Sequence, residues 1–389
     1  MTSPLVLGLI VLVLAVVAYL VLRRAAPRRD LTPPAKRSTE TLTAAPTPAV
    51  AAPHIAPNTA PTTAPAEALA RPLPPELAAF HLTPVHDLPA AQRDALTEAL
   101  RHIPRPPRAL HRLISPEFLA TASSTEMSEL VMSEPLIAAK VLATVNSPLY
   151  GLQRSVTSIG QAITFLGMNT VRSLCVRYLL DESFQASDPA SRRVFDQLWT
   201  ASAIASELCS RLSKQLHMAD AGTLVTQVVL SFVGHMAVAT LPQSRAQPAL
   251  TDMSLDLVQR YSAQQQVLGL CAPEIGRLLM TSWELPVSIV HGVGDIDLVL
   301  TQPASGLDTP AATRRAVAYL CARLAERLSA GALDTLAQWH LATDTAVCTH
   351  HLAGHLQPAQ QTALQTALGA PELQTSVDQL LGKGANTAA

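Results

Sequence analysis

The spacing of apolar positions changes character along the chain. Leu5 to Leu22 is an apolar run with no charge. At ~1.5 Å per residue a helix of that length spans roughly 27 Å, just enough to cross a bilayer core. From Pro27 to Pro75 the apolar period dissolves into Pro, Ala and Thr. From about Leu77 onward apolar residues return at helical spacing, and no alternating strand pattern appears.

The helical part is punctuated by breakers and caps. Leu88 to His102 reads as a helix closed by Pro104 and Pro106-Pro107, and Leu110 to Ile114 starts another that Pro116 interrupts. Ser123 with Glu126 forms a capping box for the helix that follows. Pro135 opens a helix whose expected apolar face is Leu136, Ala139, Leu142, Ala143 and Val145, with Asn146-Ser147-Pro148 as the stop. Ser158 with Gln161 reads as a second capping box, for Ile159 to Leu166. Gly167 ends that helix, and Asn169 is expected to cap Val171 to Leu180. Later helices are expected near 192–216, 222–240, 254–268, 273–282, 286–294, 310–329, 333–353 and 358–368. Many short helices with short links predict an all-α, compact multi-helix bundle. No repeat of 30–45 residues, P-loop or GxGxxG motif is present.

The N-terminal run is expected to be a single transmembrane helix over 5–22, after a short tip at 1–4. Tyr19 suits an interface, and Arg23, Arg24, Arg28 and Arg29 follow with no basic residue before Leu5. The positive-inside rule then places the rest of the chain in the cytoplasm, at a bacterial inner membrane. A signal peptide would need a charged start and a small-residue cleavage site instead. Residues 23–75 read as a disordered linker: twelve of the chain's 30 prolines lie between Pro27 and Pro75, and large apolar side chains are nearly absent. Such a tether reaches ~40 Å as a coil.

Composition narrows the chemistry. The chain is 48% hydrophobic and 15% charged, with a net charge of −1, so sustained attraction to nucleic acid is not expected. Cys175, Cys209, Cys271, Cys321 and Cys348 are scattered and form no CxxC pair, which argues against a zinc ribbon or disulfide framework.

One stretch is more specific. Ser133-Glu134-Pro135 opens a helix running through Leu142 to Val145-Asn146-Ser147-Pro148-Leu149-Tyr150-Gly151. Val156-Thr157-Ser158-Ile159 then leads to Leu166-Gly167-Met168-Asn169-Thr170-Val171-Arg172. Ile103-Pro104-Arg105-Pro106-Pro107 precedes it, and Glu274-Ile275-Gly276 and Trp283-Glu284-Leu285-Pro286 follow. This pattern resembles the HDOD (HD-related output domain) family over about residues 98 to 300. Its signature positions here are Pro135, Asn146, Ser147, Tyr150, Gly151, Ser158, Gly167, Arg172, Trp283 and Pro286, and the residues read individually as structural: turns, caps and packing. With the resemblance, the expected organisation is an HDOD-like domain over 76–300, packed C-terminal helices over 301–370 and a flexible tail over 371–389.

The resemblance implies an HD-like fold and a role as an output or partner-binding part of a signalling system. It also marks where related HD phosphohydrolases hold a divalent metal with His, a His-Asp pair and a distant Asp. At those places this sequence has Ala201, Ser231 and Phe232, and Ala272-Pro273 precedes Glu274. No metal or cofactor is therefore expected, and the partner is expected to be a protein. The alternatives are a divergent HD-type phosphohydrolase, with ligands drawn from His217, His235 and His291, and a module that binds a nucleotide without hydrolysis. Among other candidates, His350, His351 and His355 lie close together, with 351 and 355 on one expected helical face. A solvated or partly buried cluster is the simpler reading. His235 and His291 are expected at the core edge, and Asp295 and Asp297 as turn caps. Arg172 and Arg177 share a helix; a surface salt bridge is the simpler expectation, an anion or partner contact the alternative.

Overall fold

Prolines and side-chain caps set the helix starts in the computed structural model, which describes residues 72–186 and 188–383. The expected membrane helix over 5–22 lies outside these residues, as does the expected linker except for 72–75. The helices are α1 (Pro75–Ala78), α2 (Ala90–Leu100), α3 (Arg108–Leu113), α4 (Pro116–Thr121), α5 (Ser124–Met132), α6 (Pro135–Val145), α7 (Ile159–Leu166), α8 (Met168–Asp181) and the long α9 (Pro189–Gln215). Then come α10 (Ala221–Leu230), α11 (Val233–Thr240), α12 (Pro242–Ala246), α13 (Leu257–Leu268), α14 (Ala272–Ser282), α15 (Val287–Gly294), α16 (Thr309–Ser329), α17 (Pro358–Leu368) and α18 (Pro371–Leu380). No strand occurs among the described residues. Ser115, Ser123, Ser158, Asp188, Asp256 and Asp308 each accept a backbone N–H at a helix start, the role short polar side chains fill best.

The fold is organised on α9. Leu198, Ala201, Ile204, Ala205, Leu208, Cys209 and Leu212 recur at three- and four-residue spacing and are all buried. This stripe packs against α10, α11, α16, α17 and α18, so residues beyond 300 complete the core. Ala221–Thr240 is long and apolar enough to cross a membrane, but it is mostly buried inside the fold and belongs to the core.

Several local expectations need correction. The buried face of α6 is Ile137, Ala138, Val141 and Val145, whereas Leu136, Ala139 and Ala143 are exposed. The helix is apolar on more than one face, so packing decides which one turns inward. Ser158 does cap α7, but Gln161 reaches back to the N–H of Thr157 (2.8 Å), one residue earlier than a reciprocal box requires. Asn169 lies inside α8, which starts at Met168 after Gly167 (φ 85°). The span 222–240 is two helices broken at Ser231-Phe232. There the Ser231 hydroxyl donates to the Val228 carbonyl (2.8 Å), a local bond that competes with helix continuation. The span 333–353 is not an α-helix. Asp344 organises it as a loop, accepting from the Trp339 indole N–H (2.7 Å), Arg327 (2.8 Å) and the Ala346 N–H (3.2 Å). Residues 371–380, expected within a flexible tail, form α18, with Leu373 and Val377 buried.

Candidate functional site

Asn146, Ser147, Tyr150 and Gly151 of the signature lie in one connection between α6 and α7. At the end of α6 the Asn146 amide donates to the Leu142 and Val156 carbonyls (both 2.8 Å), and its oxygen accepts from the Val156 N–H (2.7 Å). The side chain thus fastens the loop before α7 to the helix it leaves. Gly151 supplies the left-handed residue (φ 56°) after the Pro148–Tyr150 turn that Ser147 precedes. Arg172 is buried beside Gly222, where a Cβ would come within 2.8 Å of its guanidinium. Further on, Trp283 is buried against Phe184 (centroids 6.0 Å), and Pro286 precedes α15. Each is a packing or turn device.

The three residues that the resemblance sets at HD metal positions lie inside the core. Ala201 is buried on α9, and Phe232 is only 1% exposed at the α10–α11 break. The buried Ser231 hydroxyl is committed to a carbonyl. Among the described residues no group of three or more His, Cys, Asp or Glu side chains is placed to hold a metal.

The strongest electrostatic feature lies beside that break and was not read from the sequence as a unit. His235 on α11, Arg260 and Tyr261 on α13, Asp297 in the turn after α15, and Arg323 and Glu326 on α16 meet in the core, all buried. Arg260 Nη2 donates to Glu326 Oε2 (2.7 Å), and Arg323 Nη1 lies 3.3 Å from the same oxygen and 3.7 Å from Asp297 Oδ1. Tyr261 donates to Asp297 (3.3 Å), and its hydroxyl lies 3.4 Å from His235 Nε2. Burial drives the His235 imidazole down to about 3, a loss of basicity that nearby Glu326 only partly offsets. Near pH 7 its 3.5 Å approach to Glu326 therefore sets a neutral imidazole beside a carboxylate and is not an ion pair. Burial favours protonated Glu326, but Arg260, Arg323 and His235 outweigh it and hold the carboxyl at about 2. Burial raises Asp297 despite Arg323.

His235 and Asp297 are thus core residues, not the core-edge and turn-capping residues expected. Asp295 is the surface partner, 3.4 Å from Arg315. A sequence signal existed: Arg323 and Glu326 stand at i,i+3 in an otherwise Ala- and Leu-rich stretch of α16, where opposite charges share a face. What their partners were was hidden, because these come from three other elements.

The remaining candidates separate. His291 and His217 are exposed. His350 and His351 stack edge to face (4.8 Å), while His355 is buried with Nε2 3.0 Å from the Gln302 carbonyl. With no α-helix here, 351 and 355 share no helical face. Neither Arg172 nor Arg177 makes the expected surface salt bridge: no carboxylate among the described residues lies within 4.0 Å of either.

The described residues form an all-helical bundle with no strand. Residues 103–296 match the HDOD domain model, and the chain belongs to that family. Among solved structures it is similar to an HDOD domain protein of unknown function from Geobacter sulfurreducens, with TM-score 0.51 and 16% identity over 74% of this chain and 98% of that one. It is also similar to a candidate signal transduction protein from Marinobacter aquaeolei VT8, with TM-score 0.50 and 19% identity over 76% of this chain and 66% of that one. At these identities the likeness shows the fold alone. No curated protein matches the chain.

Proposed function

We propose that this protein is a non-hydrolytic signalling or scaffolding module that works by protein–protein contact, tethered to the inner face of the plasma membrane by Leu5–Leu22. The observation that carries this reading is the burial of Ala201, Ser231 and Phe232, the residues that the family resemblance sets at the HD metal positions. A divalent cation needs several hard or imidazole donors, and these three side chains supply at most one hydroxyl, already bonded. The large exposed apolar residues Met132 (58%), Leu136 (60%) and Phe165 (61%) lie on α5, α6 and α7, which pack on one another. Exposed side chains of this kind on the signature helices favour a partner-binding role.

The test is elemental analysis of the purified full chain together with phosphomonoester and cyclic dinucleotide assays. The expected result is no stoichiometric metal and no turnover. One tightly bound Mn, Fe, Zn or Mg per chain with phosphate-ester turnover overturns the reading. The tether is tested separately with a reporter fused after Ala389: cytoplasmic activity is expected, and periplasmic activity overturns the orientation.

A further inference from the structure

The segment before α2 lies against the body as a docked peptide. Residues 79–88 contain no α-helix, only one 3₁₀ turn at Val85–Asp87. Among the described residues its backbone–backbone hydrogen bonds are all local, such as Phe80 to Leu77 and Leu88 to Val85. Two side chains hold it to the body instead. The Gln265 amide pairs with the extended backbone twice, accepting from the Thr83 N–H (2.9 Å) and donating to the His81 carbonyl (3.0 Å). Glu274, fixed by Arg277 (2.6 Å), accepts from the Val85 N–H (2.8 Å). The Glu274-Ile275-Gly276 motif thereby acquires a task that the metal comparison left open.

Leucines anchor both ends of this strap. Leu77 and Leu88 are buried, and Leu88 fills the space left by the missing side chain of Gly269, where a Cβ would lie 2.5 Å from Leu88 Cδ1. Phe80, Leu82 and Val85 pack half-buried between them. The face of α13 and α14 is thus a seat for an extended peptide: main-chain hydrogen bonds hold it and apolar sockets select it. The link to the body is extended as well, through Leu88 (ψ 131°) and Pro89 (φ −51°, ψ 139°), and α2 starts only at Ala90. Rotation at this link lifts the strap without unwinding α2.

A second copy of the chain carries the same segment, so its fit to the seat is already shown by the closed form. An exchanged pair makes the contacts that each closed chain makes alone, and concentration and the link decide between the two. We propose that residues 77–88 exchange between two copies of this chain, each strap seated on α13 and α14 of the other copy. The inference stands apart from the signalling role and the tether proposed above.

The experiment mixes two full-chain variants carrying different tags. Leu77→Ser with Leu88→Ser spoils the strap and leaves the seat; Gln265→Ala with Glu274→Ala spoils the seat and leaves the strap. Neither variant is expected to pair with itself. The mixture has one sound strap and one sound seat in different chains, and light scattering is expected to show one-to-one heterodimers, about tenfold or more above either variant alone. A synthetic peptide of residues 76–89, added in excess, should dissociate them. Absence of heterodimers while both variants keep their helical circular dichroism overturns the proposal, as do heterodimers that the peptide leaves intact. Should either variant fail to fold, the wild-type chain decides: a tagged copy is expected to retain an untagged one and to release it to the peptide. No retention, or retention that the peptide does not reverse, overturns the proposal as well.

Discussion

At Asn146 one side chain makes three hydrogen bonds that join a helix end to the loop ten residues on. Such residues were legible in the sequence because their tasks are local: a stop, a left-handed turn at Gly151, a cap at Ser158. Residues whose role depends on distant partners were not, and Asp297 and His235 are the clearest cases. The proposal that Ala201, Ser231 and Phe232 stand at HD metal positions leads to a first prediction. In the Ser231→His, Phe232→Asp double variant no metal should be gained, because Ala201 still offers no ligand. Stability should also fall by about 3 kcal/mol or more, since a carboxylate replaces a buried ring. Elemental analysis and denaturant unfolding check both parts; stoichiometric metal in the double variant refutes the first.

The His235 network makes a second residue-scale prediction, about pH. The folded chain keeps His235 neutral down to about 3, whereas a free imidazole protonates near 6.5. It keeps Glu326 ionised down to about 2, against an ordinary 4.5. In both intervals the unfolded chain binds the extra proton, so stability rises with pH there. The His235 contribution is complete above 6.5 and is lost as pH falls toward 3; that of Glu326 is complete above 4.5 and is lost toward 2. Asp297, raised by burial, has the opposite sign, and His351 and His355, lowered by burial, add to the His235 limb. Melting temperatures between pH 7.5 and 4 should fall in the wild type and fall less steeply in His235→Gln. Parallel curves would show that His235 does not carry its share.

Between elements, α11 and α14 meet at a backbone crossing. A Cβ on Gly234 of α11 would lie 1.8 Å from the Ala272 carbonyl oxygen, and one on Gly276 of α14 would lie 2.9 Å from the Gly234 nitrogen. Gly276 stood out in the sequence within Glu274-Ile275-Gly276, but only the helix pair explains it and Gly234. Gly234→Ala should destabilise by about 3 kcal/mol or more, because the neighbour is backbone and has no flexible end to move; a midpoint change below about 1 kcal/mol in denaturant unfolding would refute the crossing. Helix existence was readable from period and caps, as α2, α9, α16 and α17 show. Two kinds of element were not. The face of α6 is ambiguous because apolar residues surround it, and the 333–353 loop has helical apolar spacing that Asp344 overrides by gathering Trp339, Arg327 and the Ala346 N–H.

Over the whole molecule, the folding unit is larger than the family match. Upstream of residue 103, Leu77 and Leu88 are buried, the Val85 N–H donates to Glu274 Oε2 (2.8 Å), and the Thr83 N–H donates to Gln265 Oε1 (2.9 Å). Downstream of residue 296, α16 lies along α9 and brings Arg323 and Glu326 to Arg260 and Asp297. Cutting at the ends of the match therefore removes a core helix and leaves Arg260 buried without its counter-ion, a loss that by itself costs about 3–5 kcal/mol and approaches the whole stability of a domain. A fragment spanning 72–389 should be soluble and unfold cooperatively, with helical circular dichroism retained. A fragment spanning 103–296 should aggregate or lack a cooperative transition, even though it contains every signature residue. Two-state unfolding of the shorter fragment at comparable stability would show instead that α16 and the upstream strap are additions to a self-sufficient core.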